Sequence, residues 1–300
     1  MKLDRVVIAI DFSDSSVAAA KWAAQHLVGG AELVLVHVVD VPEPSRALRG
    51  RVPPRSVLVD TARTGAEARL RAMTPSLGAE RVWLEVRVGA AAEEIAAVAR
   101  RYDADLLVTG RHHERHGVLA RLGSTAEALV RSGVAPVLLG TGVRGVRPRR
   151  ILAALDDTDS SDAVVACARL LATRCAAQVT ALHVVPSAAL GAMLAPAAPR
   201  ADAVEDDARV GLRHDTDRFT ERLVGSGLAR EQVTSETAFG EPAQEILAAA
   251  ERHESELIVM GTHNRGGVRR LLLGSVAAAV LRGAACPVVV VPPGTDAIVG

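Results

Sequence analysis

Aromatic side chains are scarce in this chain: phenylalanine, tyrosine and tryptophan together make up 2% of its 300 residues. So few π faces leave little on which the bases of single-stranded nucleic acid could stack. Excess charge is absent as well, because 35 Lys and Arg are matched by 35 Asp and Glu. A formal charge of zero provides no basic footprint for nucleic acid and no polybasic tract for a membrane surface. Lysine is nearly missing, with only Lys2 and Lys21. Neither stands in a G-x-x-x-x-G-K-[ST] loop, so a Walker-type phosphate site is excluded and any phosphate must be held by amides, hydroxyls or arginine. The turns after the first strand of each half read DFSDSS and DDTDSS. They lack the G-x-G-x-x-G fingerprint, which disfavours nicotinamide and flavin chemistry. The three cysteines, Cys167, Cys175 and Cys286, form no C-x-x-C pair, so neither a disulfide framework nor a zinc site is indicated. They read as small core residues. No apolar run reaches eighteen residues, and the opening MKLDRVVIAID has no signal-peptide core. A cytoplasmic protein without a membrane partner is expected.

What the chain does have is a copy of itself. VTGRHHERHGVLARLGSTAEALVRSGVAPVLL (108–139) is followed later by VMGTHNRGGVRRLLLGSVAAAVLRGAACPVVVV (259–291). Gly110, Gly123 and Ser124 recur as Gly261, Gly274 and Ser275, each shifted by 151 residues. Earlier landmarks shift less, Asp11 to Asp156 by 145 and His37 to His183 by 146. The second half therefore gained about five residues in the proline-rich stretch between them, as a tolerant surface loop would. Length and repeat together predict two domains, 1–141 and 150–296, joined by a Gly, Pro and Arg-rich linker at 142–149.

Each half opens with an apolar run ending in Asp, RVVIAID (5–11) and RILAALD (150–156). Such runs fit strands buried on both faces of a parallel sheet. A Ser and Asp cluster and an Ala-rich stretch (17–27 and 163–171) follow, reading as cap and helix. Further strands are expected at 33–40 and 179–186, at 83–89 and 233–240, and at 136–139 and 287–291, with amphipathic helices between them. Alternating strands and helices of this kind predict an α/β protein with two doubly wound, mostly parallel, five-stranded sheets of Rossmann-like type. Trp22 and Trp83 are expected to be packed.

In open α/β sheets, ligands sit beyond the carboxyl ends of the strands, and the repeated glycines fall there. Gly261 should end a strand and Gly274-Ser275 should open a helix. The unsatisfied amides at a helix N-terminus, together with its positive dipole end, bind anions without a charged side chain. The neighbouring H-E-R-H (113–116) is one residue short of H-E-x-x-H, so it does not read as a metal site. His37 and His183 read as satisfied strand-end histidines.

At these residues the chain resembles the universal stress protein family, as a tandem member with two copies of that family's domain, whose fold is that of the adenine nucleotide α-hydrolases. Nucleotide-binding members carry G-2x-G-9x-G-[S/T]. In the second half this pattern reads Gly261-T-H-Asn264-RGGVRRLLL-Gly274-Ser275, and in the first Gly110-R-H-His113-ERHGVLARL-Gly123-Ser124. The middle glycine has become Asn264, which takes positive φ readily, or His113, which is bulkier. The resemblance implies ATP with Mg2+ as the ligand. In the second half it implies a site of Ala154, Asp156, Val184, Gly261, Asn264, Arg265, Gly274, Ser275 and Val276. In the first half the site is Ala9, Asp11, Val38, Gly110, His113, Gly123, Ser124 and Thr125. A carboxylate at the first strand's end can accept hydrogen bonds from ribose hydroxyls, although Asp also initiates helices.

By the same resemblance the two halves are expected to pair as a pseudo-dimer through PVLL and PVVVV, with dimerisation of the whole chain left open. No nucleophile elbow G-x-S-x-G occurs, and no H-x-G-H or S-G-G-x-D-S loop of adenylyl-transferring enzymes. The expectation is therefore a stress-response or signalling module with at most slow ATP hydrolysis. The alternatives are an interaction module of the same fold that binds no nucleotide and, third, an adenylyl-transfer enzyme.

Overall fold

A computed structural model describes residues 3–27, 29–43, 52–111, 122–140, 147–156, 160–186, 218–262 and 273–294. Two compact units divide the chain, Lys2–Val146 and Arg147–Gly300. Each is an open, doubly wound α/β sheet.

In the first unit, β1 (Arg5–Ala9), β2 (Glu32–Val39), β3 (Val82–Val88), β4 (Leu106–Gly110) and β5 (Val137–Gly140) lie in the order β3-β2-β1-β4-β5. All four pairings are parallel. The connections are α1 (Asp14–His26), α2 (Arg55–Met73), α3 (Ala91–Arg101) and α4 (Ser124–Ser132). The second unit repeats the plan with β6 (Arg150–Leu155), β7 (Gln178–Pro186), β8 (Val233–Gly240), β9 (Leu257–Gly261) and β10 (Val288–Val291), ordered β10-β9-β6-β7-β8. These pairs are parallel too. Its helices are α5 (Ser160–Cys175), helical residues 218–225, α6 (Pro242–Arg252) and α7 (Ser275–Gly283). The order reverses direction at β1 and at β6, and this is the switch point where such sheets bind ligands.

Apolar runs make the inner strands. Val6, Val7, Ile8, Leu33–Val36, Leu107 and Val108 are completely buried, as are Leu152, Ala153, Val179 and Leu257–Val259. Helices cover both faces of each sheet, which is why these strands carry no polar alternation. The charge pattern of α3 suits its dipole, with Glu93 and Glu94 in the first turn and Arg100 and Arg101 in the last. Its counterpart α6 starts with Pro242, whose fixed φ suits a first helical position.

The boundaries differ from expectation where caps and turns intervene. β1 ends at Ala9 and β6 at Leu155, before the aspartates. Phe12, at φ 63°, turns the chain out of the sheet. α1 starts three residues early because the Ser13 side chain accepts from the Ser16 amide and caps it. Trp22 is packed, but Trp83 is 54% exposed, contrary to expectation, because it stands on β3 at the sheet edge. Cys167 and Cys175 are buried core residues as expected, while Cys286 is half-buried. Among the described residues no helix is long and apolar enough to cross a membrane.

Candidate functional site

Each unit has a cleft at the carboxyl end of its central strands, and each cleft gathers residues from five separated stretches of chain, four of which carry the expected site residues. In the first unit the end of β1 contributes Ala9 and Asp11, β2 contributes Val38, β4 contributes Gly110, and the start of α4 contributes Gly123, Ser124 and Thr125. In the second unit the matching residues are Ala154 and Asp156, Val184, Gly261, and Gly274 with Val276. Ser275 starts α7 but is not among the residues lining this cleft. His113, Asn264 and Arg265 lie outside the described residues, as does the H-E-R-H segment. The clefts have cavity volumes of about 220 and 110 Å³.

The helix starts are open. Gly123 and Gly274 occupy the N-cap positions of α4 and α7, and neither helix has a side-chain cap hydrogen bond. A glycine cap supplies no side-chain oxygen, so among the described residues no N-cap side chain is bound to the first-turn amides. Such amides, with the helix dipole behind them, form an anion-binding surface.

The carboxylates are held in different ways. Asp11 Oδ1 accepts from the Ser13 amide (2.9 Å) and from Ser13 Oγ (2.6 Å). Asp156 is bound by Ser161, whose Oγ has the Asp156 carbonyl (2.5 Å) and Oδ1 (2.9 Å) within reach as acceptors for its proton and itself accepts from the Asp156 amide (3.0 Å). Asp11 is exposed, whereas Asp156 is half-buried. Neither aspartate is the N-cap of α1, a role that belongs to Ser13 in the first unit.

Both strand-two histidines are satisfied, as expected. The Nδ1–H of His37 donates to the Ile10 carbonyl (2.7 Å) and that of His183 to the Leu155 carbonyl (3.1 Å). His37 nevertheless lines the first cleft, whereas His183 is buried and is not among the residues lining the second.

The main difference between the clefts lies at the glycine ending strand four. A Cβ built on Gly110 would lie 2.6 Å from the Ser16 amide nitrogen and 2.8 Å from the Ser15 carbonyl carbon and Oγ. Both sets of atoms belong to the first turn of α1, so no side chain fits. Among the described residues the nearest atom to a Cβ on Gly261 is Val164 Cγ2 at 3.7 Å, an ordinary contact. Arg111, the residue after Gly110, is buried, and its counterpart Thr262 is buried as well. Their amides donate to Gly140 O and Val291 O, and Gly274 N then donates to Thr262 O (3.2 Å), closing the base of the second loop.

Several lining residues were not singled out in the sequence: Ser16 and Ser161, Ile95 and Ile246, Ala91 and Pro242, Ala126 and Ala277. The repeat could have found them, because each pair obeys the local shift of 145 or 151. Among the described residues no group of three His, Cys, Asp or Glu could hold a metal ion.

Comparison with known proteins agrees with this architecture. The model of the universal stress protein family matches residues 2–139 and 148–292. A universal stress protein of Methanocaldococcus jannaschii is 48% identical over 60 residues, 20% of this chain and 35% of that protein. One from Mycolicibacterium smegmatis is 27% identical over 300 residues, covering 96% of this chain and 97% of its own. Among solved structures, a universal stress protein from Archaeoglobus fulgidus superimposes with a TM-score of 0.71 at 19% identity. That match covers 98% of this chain and 100% of the other.

Proposed function

The chain belongs to the universal stress protein family along both halves, and from that premise we propose that it is a stress-response or signalling module that binds ATP in its two clefts. One observation carries the reading. In each unit, residues from the end of strand one, strand two, strand four and the start of the last helix line a single cleft at the switch point. Apolar walls such as Val184, Ile246 and Met260 suit an adenine ring. Asp156 offers acceptors to ribose hydroxyls, and the amides at the start of α7 suit phosphate oxygens.

The second cleft is the stronger site. Among the described residues, space beside Gly261 lets a phosphate approach the backbone, whereas α1 already occupies the equivalent space beside Gly110. Mg2+ fits as an ion carried by the nucleotide. Without a three-ligand cluster among the described residues, phosphate oxygens and water would supply most of its shell, with Asp156 as a carboxylate within the cleft. The module is not a dedicated enzyme and hydrolyses ATP slowly at most.

Isothermal titration with Mg-ATP tests this. Binding is expected, tighter in the second cleft, and Gly274→Val should weaken that site at least about tenfold by driving a branched side chain into the phosphate surface. A protein that releases no nucleotide on denaturation and gives no heat with ATP would defeat the proposal in favour of an interaction module. Unchanged affinity in Gly274→Val would show that the phosphates lie elsewhere.

A further inference from the structure

Phe12, next to the cleft residue Asp11, is a bulky side chain held at positive φ, 63°. An aromatic residue in the left-handed region is an outlier and persists only where its surroundings over-determine it. Here the surroundings form a stack. The Arg69 guanidinium of α2 lies over the Phe12 ring at 3.8 Å from its centroid, and the His37 ring packs against Phe12 at 4.6 Å. His37 in turn donates to the carbonyl of Ile10. One side of Asp11 is thus tied by a hydrogen bond to Ile10, the other by a ring contact to Phe12, and both ties meet at His37.

The second unit builds its stack from other parts of the chain. The ring packed on His183 is Phe219, at 5.3 Å, from helical residues 218–225, with Arg218 and Arg222 over it at 5.4 and 5.8 Å. The cation, the aromatic and the histidine are all retained. In the first unit, however, the aromatic has moved onto the turn beside the aspartate.

We infer that Arg69 and Phe12 are positioning residues that latch the β1–α1 turn to α2 and so fix the Asp11 carboxylate in the first cleft. This rests on the nucleotide-binding reading for the identity of what Asp11 meets, a ligand bearing hydroxyl donors such as a ribose. Docking of α2 and affinity in the first cleft are then coupled, because the turn is strained when the latch is open and Asp11 moves with it. The latch itself does not depend on the nature of the ligand.

Two variants separate positioning from mere folding. Arg69→Ala removes the outer layer of the stack on an exposed helix face. Phe12→Gly relieves the positive-φ strain but deletes the ring, so a purely local backbone role predicts no loss. Amide hydrogen exchange in the full chain should become about tenfold faster at residues 11–16 in both variants, with the core strands of the unit unchanged. In a Gly274→Val background, which isolates the first cleft, ATP affinity should fall about five- to tenfold in both and recover in Arg69→Lys, which restores a cation over the ring. Unchanged exchange at the turn would overturn the latch. Faster exchange with undiminished affinity would overturn the link to Asp11. If the parent protein binds no ATP in either cleft, the functional reading fails on its own and the exchange measurement alone decides the latch.

Discussion

The two units use the same strand order and the same cleft-forming positions, yet they treat one glycine in opposite ways. Gly110 sits under the first turn of α1, with Ser15 and Ser16 backbone and side-chain atoms where a Cβ would go. Among the described residues, Gly261 has only a valine methyl at van der Waals distance. One glycine is required by the packing of the protein against itself, and the other leaves space that a ligand can use. Duplication preserved the residue while its physical role diverged. A related divergence appears at α1 itself, where a Cβ on Gly140 would lie 2.4 Å from that of Ala19. The residue 151 places later is Val291, so the second copy has a full side chain at that position.

The most severe way to break this comparison is alanine at each glycine. Gly110→Ala should destabilise the first unit by about 3 kcal/mol, the upper end for overpacking, because the obstructing atoms are backbone. Gly261→Ala should change the second by less than about 0.5 kcal/mol. The units can be followed separately. Both tryptophans lie in the first, so tryptophan fluorescence in urea reports that unit. All three cysteines lie in the second, where burial pushes the Cys167 thiol up to about 12 and makes it a probe that reacts only on opening. Equal losses at the two glycines would remove the distinction drawn here.

A smaller effect tests a second exchange between copies. Glu85 accepts from Tyr102 (2.8 Å) and from Arg101, and 151 residues later Glu236 pairs with His253 and Arg252. Burial pushes the Glu236 carboxyl up, but hydrogen bonds from His253 and Arg252 outweigh it and leave its pKa below the ordinary value. Its contribution is therefore present above the unfolded pKa and lost as pH falls through the lowered folded one. Being partly exposed, it should amount to less than about 1 kcal/mol, measured as the difference in acid-unfolding midpoint, followed by circular dichroism, between the parent and Glu236→Gln. Tyr102 behaves in the opposite sense. Burial first, and then its bond to Glu85, raise its pKa above 10, so its contribution holds at neutral pH and is lost as pH rises through the folded value. It is the chain's only tyrosine, so absorbance near 295 nm titrates it alone and should show ionisation later than in a free tyrosine. An ordinary titration would show that the Tyr102–Glu85 bond is absent in solution.

The smallest expected effect concerns Trp83. Standing exposed on the edge strand, it should tolerate Trp83→Ser within about 0.5 kcal/mol. Its fluorescence should be quenched by acrylamide far more readily than that of buried Trp22. A large loss of stability would mean that this edge is covered in solution.

The sequence was most legible where periodicity and repetition combine. Continuous apolar runs located the strands, and a fixed shift identified Gly110 with Gly261 and Gly123 with Gly274 as strand ends and helix starts. It was least legible at single residues whose neighbours come from elsewhere in the chain. Nothing in DFSDSS shows that Phe12 reverses the backbone under Arg69, some 57 positions away, or that Ser13 rather than Asp11 caps the helix. Trp83 could not be read as exposed, because its position at the sheet edge depends on strand order.

By itself the amino-acid sequence determined the duplication, the α/β class, the family and the chemical type of the loops, because these follow from local propensity, spacing and pattern. Only the tertiary structure decided which residues share a cleft and which of two identical glycines is open. Those outcomes depend on how closely α1 and α5 approach strands distant in sequence, and about one ångström there, 2.6 against 3.7 Å, separates a filled space from an available one.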